Sequence, residues 1–117
     1  MAADPAADPA ADPGGRVLDE LFAVIEARKE SSPDASYTAR LLAAGAPKIA
    51  RKVGEEAVEV VVAALAERGR LAAESADLLY HLLVLWAEAG VRPKDVWAEL
   101  EGRRGTSGLT EKASRGR

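Results

Sequence analysis

Two pairs of acidic residues have the types and the spacing that could do chemistry. Glu56 and Glu59 are three positions apart, and so are Glu74 and Asp77. Residues three apart on a helix share one face, so each pair can direct its carboxylates to a common point. Several carboxylates that meet at one point repel one another unless cations lie between them. The pattern therefore indicates a metal-binding site.

The rest of the composition limits which metal such a site could hold. The chain has no cysteine and a single histidine, His81, which excludes zinc sites built from those residues. Carboxylate oxygens are hard ligands, which favour Mg²⁺ or Mn²⁺. Because Mg²⁺ usually keeps water and substrate phosphate among its ligands, the acids suggest phosphate chemistry. Lys48, Arg51 and Lys52 lie nearby in the sequence and could hold phosphate oxygens.

The elements that must position these side chains are all helical. Apolar residues recur at helical spacing throughout residues 16–101, which predicts an all-α domain of four to five helices. The expected helices span roughly 16–30, 36–43, 47–68, 70–89 and from 93 onwards, with prolines and glycines between them. A short connection at Gly69 makes the third and fourth helices antiparallel neighbours. The two acidic pairs can therefore face each other.

The fourth helix weakens the simplest alternative, in which the acids are only solvated. This helix has apolar residues on all of its faces, which predicts that it is buried between neighbouring elements. A buried carboxylate costs several kcal/mol unless it is paired or binds metal. Arg68 and Arg70 lie only at the end of the helix, so Glu74 and Asp77 are expected to have too few cationic partners. On the third helix alone, a solvated charged face remains an alternative.

The two ends of this 117-residue chain differ in composition from its centre. Residues 1–15 hold three copies of Ala-Ala-Asp-Pro, and they are expected to be disordered because proline breaks helices and nothing large and apolar can be buried. Residues 102–117 form a basic C-terminal tail. The domain between them, 16–101, is small, so homodimerisation is expected to complete its core.

Net charge and hydropathy exclude several classes of partner. The formal net charge is −3, which gives no broad basic surface for nucleic acid. No apolar run approaches the roughly 18–20 residues of a membrane span. A cytoplasmic protein with neither nucleic acid nor membrane as a partner is therefore expected.

The acidic residues and their surroundings resemble a known enzyme family. Glu55-Glu56-x-x-Glu59 followed by Glu74-x-x-Asp77 is similar to the metal-binding motif of the MazG-like nucleotide pyrophosphohydrolases, which are helical bundles. A wider resemblance, over about 17–115, is to the phosphoribosyl-ATP pyrophosphatases of histidine biosynthesis in their stand-alone form. It is carried by SYT at 36–38, KVGEEA at 52–57, DLLYH at 77–81 and SGL-x-EK-x-SR at 107–115.

The resemblance implies a reaction and the residues that perform it. Phosphoribosyl-ATP would be hydrolysed to phosphoribosyl-AMP and pyrophosphate by attack of water at the α–β phosphoanhydride, with Mg²⁺ or Mn²⁺ as cofactor. The implied metal ligands are Glu56, Glu59, Glu74 and Asp77. Glu55 would orient or deprotonate the water. Substrate-binding residues would be Lys48, Lys52, Tyr37 and Thr38.

Two other functions stay open from the sequence. One is a MazG-like enzyme that removes non-standard or excess nucleoside triphosphates, and the other is a non-catalytic helical dimerisation module. His81 fits either a core histidine or a residue that supports the site through Asp77 or a neighbouring helix. Gly54 inside a helix suggests close approach of a helix or ligand. Trp86 and Trp97 are expected to anchor the core or a dimer.

Overall fold

Five α-helices make up the fold in the computed structural model, which describes residues 13–105. They are α1 (Arg16–Ala27), α2 (Tyr37–Ala44), α3 (Ala46–Ala66), α4 (Leu71–Ala89) and α5 (Pro93–Gly102). Short 3₁₀ turns follow α1 at Arg28–Glu30 and precede α4 at Arg68–Arg70, and residues 13–105 contain no strand. The all-α prediction is confirmed. Most of the Ala-Asp-Pro tail and most of the basic tail lie outside the described residues.

The helix boundaries follow from the residues that flank them. The hydroxyl of Ser36 caps α2 by accepting a hydrogen bond from the backbone N–H of Ala39 at 3.0 Å. Gly45, at φ +93°, separates α2 from α3, and Pro47 occupies the first turn of α3. Gly90, at φ +77°, ends α4 in the left-handed conformation that glycine adopts most readily. A helix that could cross a membrane is absent from residues 13–105.

The core lies at one end of the antiparallel α3–α4 hairpin. This closed end consists of residues 46–53 of α3 and 81–89 of α4, against which α1 and α2 pack. Ile49, Leu83 and Val84 are fully buried there. The complete buried cluster is Phe22, Ile25, Leu41, Ile49, Leu83, Val84 and Ala87.

The other end of the hairpin is much less covered. This open end consists of residues 57–66 of α3 and 71–79 of α4, and Glu74 and Ala63 are its buried side chains. Leu65 is 83% exposed and Leu79 is 42% exposed. The sequence predicted that α4 is buried on all sides. Within this chain, α4 is well covered only at the closed end.

A tryptophan pair attaches α5 to the rest of the domain. Trp86 of α4 and Trp97 of α5 pack edge to face with their ring centroids 6.2 Å apart. The indole N–H of Trp97 donates to the carboxylate of Asp19 on α1 at 3.3 Å. Within the described chain, the two tryptophans thus join three helices.

Candidate active site

Three carboxylates from two helices converge at the inner edge of the open end. Glu56 comes from α3, Glu74 and Asp77 come from α4, and one oxygen of each lies within 4.8 Å of the others. The antiparallel hairpin brings the helices together, and the three-residue spacing places Glu74 and Asp77 on one face. Glu74 is buried, Glu56 is half-buried and Asp77 is exposed. This acidic triad offers three hard oxygen donors to one divalent cation.

Arg70 partly neutralises the acidic triad. Its Nη2 lies 2.7 Å from Oε1 of Glu74, and its Nε lies 3.6 Å from a carboxylate oxygen of Glu67. The hydrogen bond with Glu74 raises the pKa of Arg70. The expectation of too few cationic partners is therefore wrong for Glu74. Arg70 stands one turn before Glu74, and its long side chain reaches along the helix to the buried carboxylate.

Glu59 lies beside the acidic triad and outside it. It is exposed, and it lines a cavity of about 150 Å³ together with Glu74, Glu67 and Arg70. Its negative charge contributes to the raised pKa of Arg70, behind the larger effects of Glu74 and Glu67. The structure thus brings together three of the four predicted metal ligands and places the fourth nearby. The ligand role of Glu59 stays a prediction.

Lys52 connects the acidic triad to the predicted water-orienting residue. Its Nζ lies 3.3 Å from a carboxylate oxygen of Glu55 and 3.7 Å from one of Glu56. The hydrogen bond with Glu55 and the proximity of Tyr37 raise the pKa of Lys52. Lys52 is therefore held in its charged form next to the triad, which its predicted role in phosphate binding requires.

The other predicted substrate lysine borders a small cavity between α2 and α3. Lys48 lines this cavity of about 230 Å³ together with Tyr37, Arg40, Leu41 and Ala44. Within residues 13–105, neither Lys48 nor Arg40 has an acidic partner. The sequence pattern did not single out Arg40, although its position three residues after Tyr37 places both on one helix face.

Two neighbouring residues of α2 bind two neighbouring residues of α4. The hydroxyl of Tyr37 lies 3.0 Å from Nε2 of His81, and the hydroxyl of Thr38 is hydrogen-bonded to that of Tyr80. His81 also contacts the backbone carbonyl of Asp77 through Nδ1, at 2.7 Å. The prediction that His81 contacts Asp77 or a neighbouring helix is confirmed, and on Asp77 the contacted atom is the backbone carbonyl oxygen and not the carboxylate. Thr38 is buried, and its substrate-binding role stays a prediction.

The glycine inside α3 has open space around it. A Cβ built on Gly54 would meet no atom within 4 Å in the described part of the chain. The expectation of a close helix approach at Gly54 is therefore wrong for this protomer, because the residue lies on the exposed side of α3.

Comparisons with known proteins agree with these motifs. A family profile described as phosphoribosyl-ATP pyrophosphohydrolase matches residues 18–104. A protein of Paramagnetospirillum magneticum named phosphoribosyl-ATP pyrophosphatase is 62% identical over 101 residues, which cover 86% of this chain and 93% of the relative. Proteins of the same name from Parvibaculum lavamentivorans and Azospirillum brasilense are 60% and 56% identical over 100 residues each, covering 85% of this chain and 92% and 90% of theirs. The chain belongs to the phosphoribosyl-ATP pyrophosphohydrolase family.

Proposed function

We propose that this protein hydrolyses phosphoribosyl-ATP to phosphoribosyl-AMP and pyrophosphate, the second step of histidine biosynthesis. The substrate is the one named by the relatives of this chain. The observation that carries the proposal is the acidic triad, because carboxylates gathered from two helices suit a divalent cation and a polyphosphate substrate. Lys52, which lies beside the triad, supplies complementary charge for the phosphates.

The proposed metal ligands are Glu56, Glu59, Glu74 and Asp77. The cation that fits these hard oxygen donors is Mg²⁺ or Mn²⁺. When bound, it neutralises negative charge on the reacting phosphates and makes water a better nucleophile. Arg70 is hydrogen-bonded to one oxygen of Glu74, and the second oxygen of this carboxylate has lone pairs for a cation.

The remaining residues bind the substrate and handle the proton. Lys52 and Lys48 hold oxygens of the triphosphate, and Glu55 orients the attacking water and accepts its proton. As the water oxygen bonds to phosphorus, the α–β bridging bond breaks and pyrophosphate leaves. The position of Glu55 supports this role, because Lys52 pairs with its exposed carboxylate and also faces Glu56 of the triad.

The direct test is pyrophosphate release from phosphoribosyl-ATP by the full chain with Mg²⁺, with Mn²⁺ and with EDTA. We expect release with metal and none with EDTA. Faster turnover of simple nucleoside triphosphates than of phosphoribosyl-ATP would indicate a house-cleaning pyrophosphohydrolase instead. If neither substrate releases pyrophosphate in a metal-dependent reaction, the remaining interpretation is a non-catalytic helical module, and the proposal is contradicted.

Thermal melting tests the metal ligands separately from turnover. A cation that binds only the folded carboxylates stabilises the fold, so the parent should melt at a higher temperature in millimolar Mg²⁺ than in EDTA. Glu59→Gln should reduce activity by orders of magnitude and leave the melt in EDTA unchanged or higher, because it removes like-charge repulsion. Retained activity, or a clearly destabilised variant in EDTA, would remove Glu59 from the site.

We also propose that the protein is a homodimer built on the open end. Val58, Val61, Val62 and Leu65 follow the i, i+3, i+4, i+7 spacing and are all more than half exposed. A contiguous apolar stripe of this kind is uncommon on a monomer and suits a second copy of the same surface. Sedimentation that yields a stable, folded monomer at micromolar concentration would overturn this proposal.

A further inference from the structure

Tyr37 and His81 form a hydrogen-bonded unit whose direction is fixed by the backbone. A carbonyl oxygen only accepts hydrogen bonds, so Nδ1 of His81 carries the proton that it donates to the carbonyl of Asp77, at 2.7 Å. In neutral imidazole the other nitrogen then lacks a proton. Nε2 must therefore accept, and the hydroxyl of Tyr37 donates to it at 3.0 Å.

The aromatic surroundings hold this unit in place. His81 is buried, and its ring packs edge to face against both tyrosines, with centroids 5.9 Å from Tyr37 and 5.5 Å from Tyr80. Tyr37 itself is 45% exposed and borders the cavity between α2 and α3. The hydroxyl of Tyr37 is thus hydrogen-bonded to a buried partner, and the tyrosine remains accessible from the cavity that Lys48 also lines.

We infer that His81 is a positioning residue that presents the Tyr37 oxygen to the substrate as a hydrogen-bond acceptor. The only proton of the Tyr37 hydroxyl is used by His81, so the oxygen has only lone pairs to offer. A phosphate oxygen at neutral pH is itself an acceptor and is not recognised by such a group. Tyr37 therefore accepts a hydrogen bond from the nucleoside part of the substrate, where the donor is a sugar hydroxyl or a base N–H. The phosphates are bound by the lysines.

This inference rests on the proposed function, and kinetics can separate the two. Tyr37→Phe should raise KM for phosphoribosyl-ATP about three- to tenfold, the effect of one neutral hydrogen bond, with kcat changed less than about twofold. His81→Leu should raise KM similarly, and the double variant should be no worse than either single one, because both changes remove the same contact. His81→Gln, whose amide oxygen can still accept from Tyr37, should show a smaller rise.

Two controls distinguish recognition from general damage. Tyr80→Phe removes the neighbouring hydroxyl contact between α2 and α4, so it should lower the melting temperature and leave KM unchanged. Inorganic tripolyphosphate, which offers only phosphate oxygens at neutral pH, should inhibit the Tyr37→Phe variant as strongly as the parent. Weaker inhibition of that variant would mean that Tyr37 binds phosphate, and it would overturn the inference.

The chain has one histidine, so its imidazole nitrogens can be read by NMR without assignment. In the neutral ring, Nδ1 should be protonated and Nε2 should not. Tyr37→Phe should shift the Nε2 resonance. The opposite tautomer, or an active parent whose Tyr37→Phe variant keeps the parental KM, would overturn this inference alone. A parent that releases no pyrophosphate from phosphoribosyl-ATP would overturn the proposed function and this inference with it.

Discussion

The two ends of the α3–α4 hairpin are built from the same pair of helices and differ in what covers them. At the closed end, Leu83 and Val84 are fully buried beneath α1 and α2. At the open end, the exposed apolar side chains of α3 face outward, and a carboxylate, Glu74, occupies a buried position. These apolar residues are Val58, Val61, Val62 and Leu65. The acidic triad lies where the helices still touch each other and the other helices no longer cover them.

This difference separates stability from function along one hairpin. Apolar burial at the closed end fixes the relative position of α3 and α4. The open end uses that rigidity to hold like charges close together, which costs free energy in the absence of a cation. A small domain can thus hold an acidic cluster at one end of two helices that are stabilised at their other end.

Truncation of the closed-end core should have the largest effect on stability. Leu83→Ala should lower the free energy of unfolding by about 2–5 kcal/mol, because it leaves a cavity in a fully buried position. Leu100→Ala, on the exposed side of α5, should change it by less than about 0.5 kcal/mol. Urea denaturation measures both. A loss below about 1 kcal/mol for Leu83→Ala would show that the closed end is not the source of stability.

Neutralisation of the buried carboxylate should be the most damaging change to the function of the open end. Glu74→Gln should reduce pyrophosphate release by about a hundredfold or more, because an amide is a poor ligand for Mg²⁺. Glu67→Gln removes an exposed partner of the same Arg70 and should leave the rate within about twofold. Equal losses in the two variants would assign the effect to Arg70 and not to metal binding.

A charge on the apolar stripe should break the proposed dimer and spare the fold. Leu65→Lys should raise the dimer dissociation constant about tenfold or more, since a desolvated lysine in an apolar contact is costly. Leu100→Lys, a matched change on an exposed leucine of α5, should leave it unchanged. Sedimentation gives the constants and circular dichroism gives the helix content. A dimer that tolerates Leu65→Lys would place the contact elsewhere.

The smallest expected effect is a loss of folding stability at alkaline pH. Burial, with a smaller contribution from Tyr37, raises the pKa of Tyr80 above its ordinary value near 10. The folded protein therefore retains the hydroxyl proton of Tyr80 to a higher pH than the unfolded chain does. The contribution of Tyr80 to stability is fully present below about pH 10, and it is lost as the pH rises through the pKa of the folded state. In Tyr37→Phe, where Tyr80 is the remaining tyrosine, absorbance should report ionisation above pH 10.

Stability measurements check the same point. The melting temperature of the parent should fall as pH increases beyond about 10, and it should fall less steeply in Tyr80→Phe. Part of the decrease should persist in that variant, because the raised pKa of Lys52 acts in the same direction. A tyrosine that ionises at or below its ordinary pKa would contradict the burial of this side chain.

Local patterns were sufficient to predict the helices. Ser36, Gly45, Pro47 and Gly90 define helix ends through their own backbone preferences, and the structure has all four at the expected boundaries. The convergence of Glu56, Glu74 and Asp77 was also predictable, because helical spacing and a short connection at Gly69 determine it without knowledge of the core.

What the sequence could not give depends on side-chain reach and on tertiary neighbours. Arg70 was placed correctly at a helix end, yet its pairing with Glu74 depends on where a flexible side chain points. The surroundings of Gly54 depend on which side of α3 the other helices cover, and helical periodicity alone does not decide that. The contact between Tyr37 and His81 spans 44 residues of sequence, so no local pattern could predict it.

The paired contacts between α2 and α4 have a consequence for the segment that leads into α2. Tyr37 and Thr38 are hydrogen-bonded to the consecutive residues His81 and Tyr80 of α4. A shift of α2 by one residue would break both contacts, so α4 fixes the position of α2 along its own axis. Residues 32–35 of the preceding segment are exposed and carry only short turns of their own. This segment can therefore vary in length with little penalty, about 0.6 kcal/mol for each doubling, without moving Tyr37. It is the natural place in this domain for insertions and for attached labels.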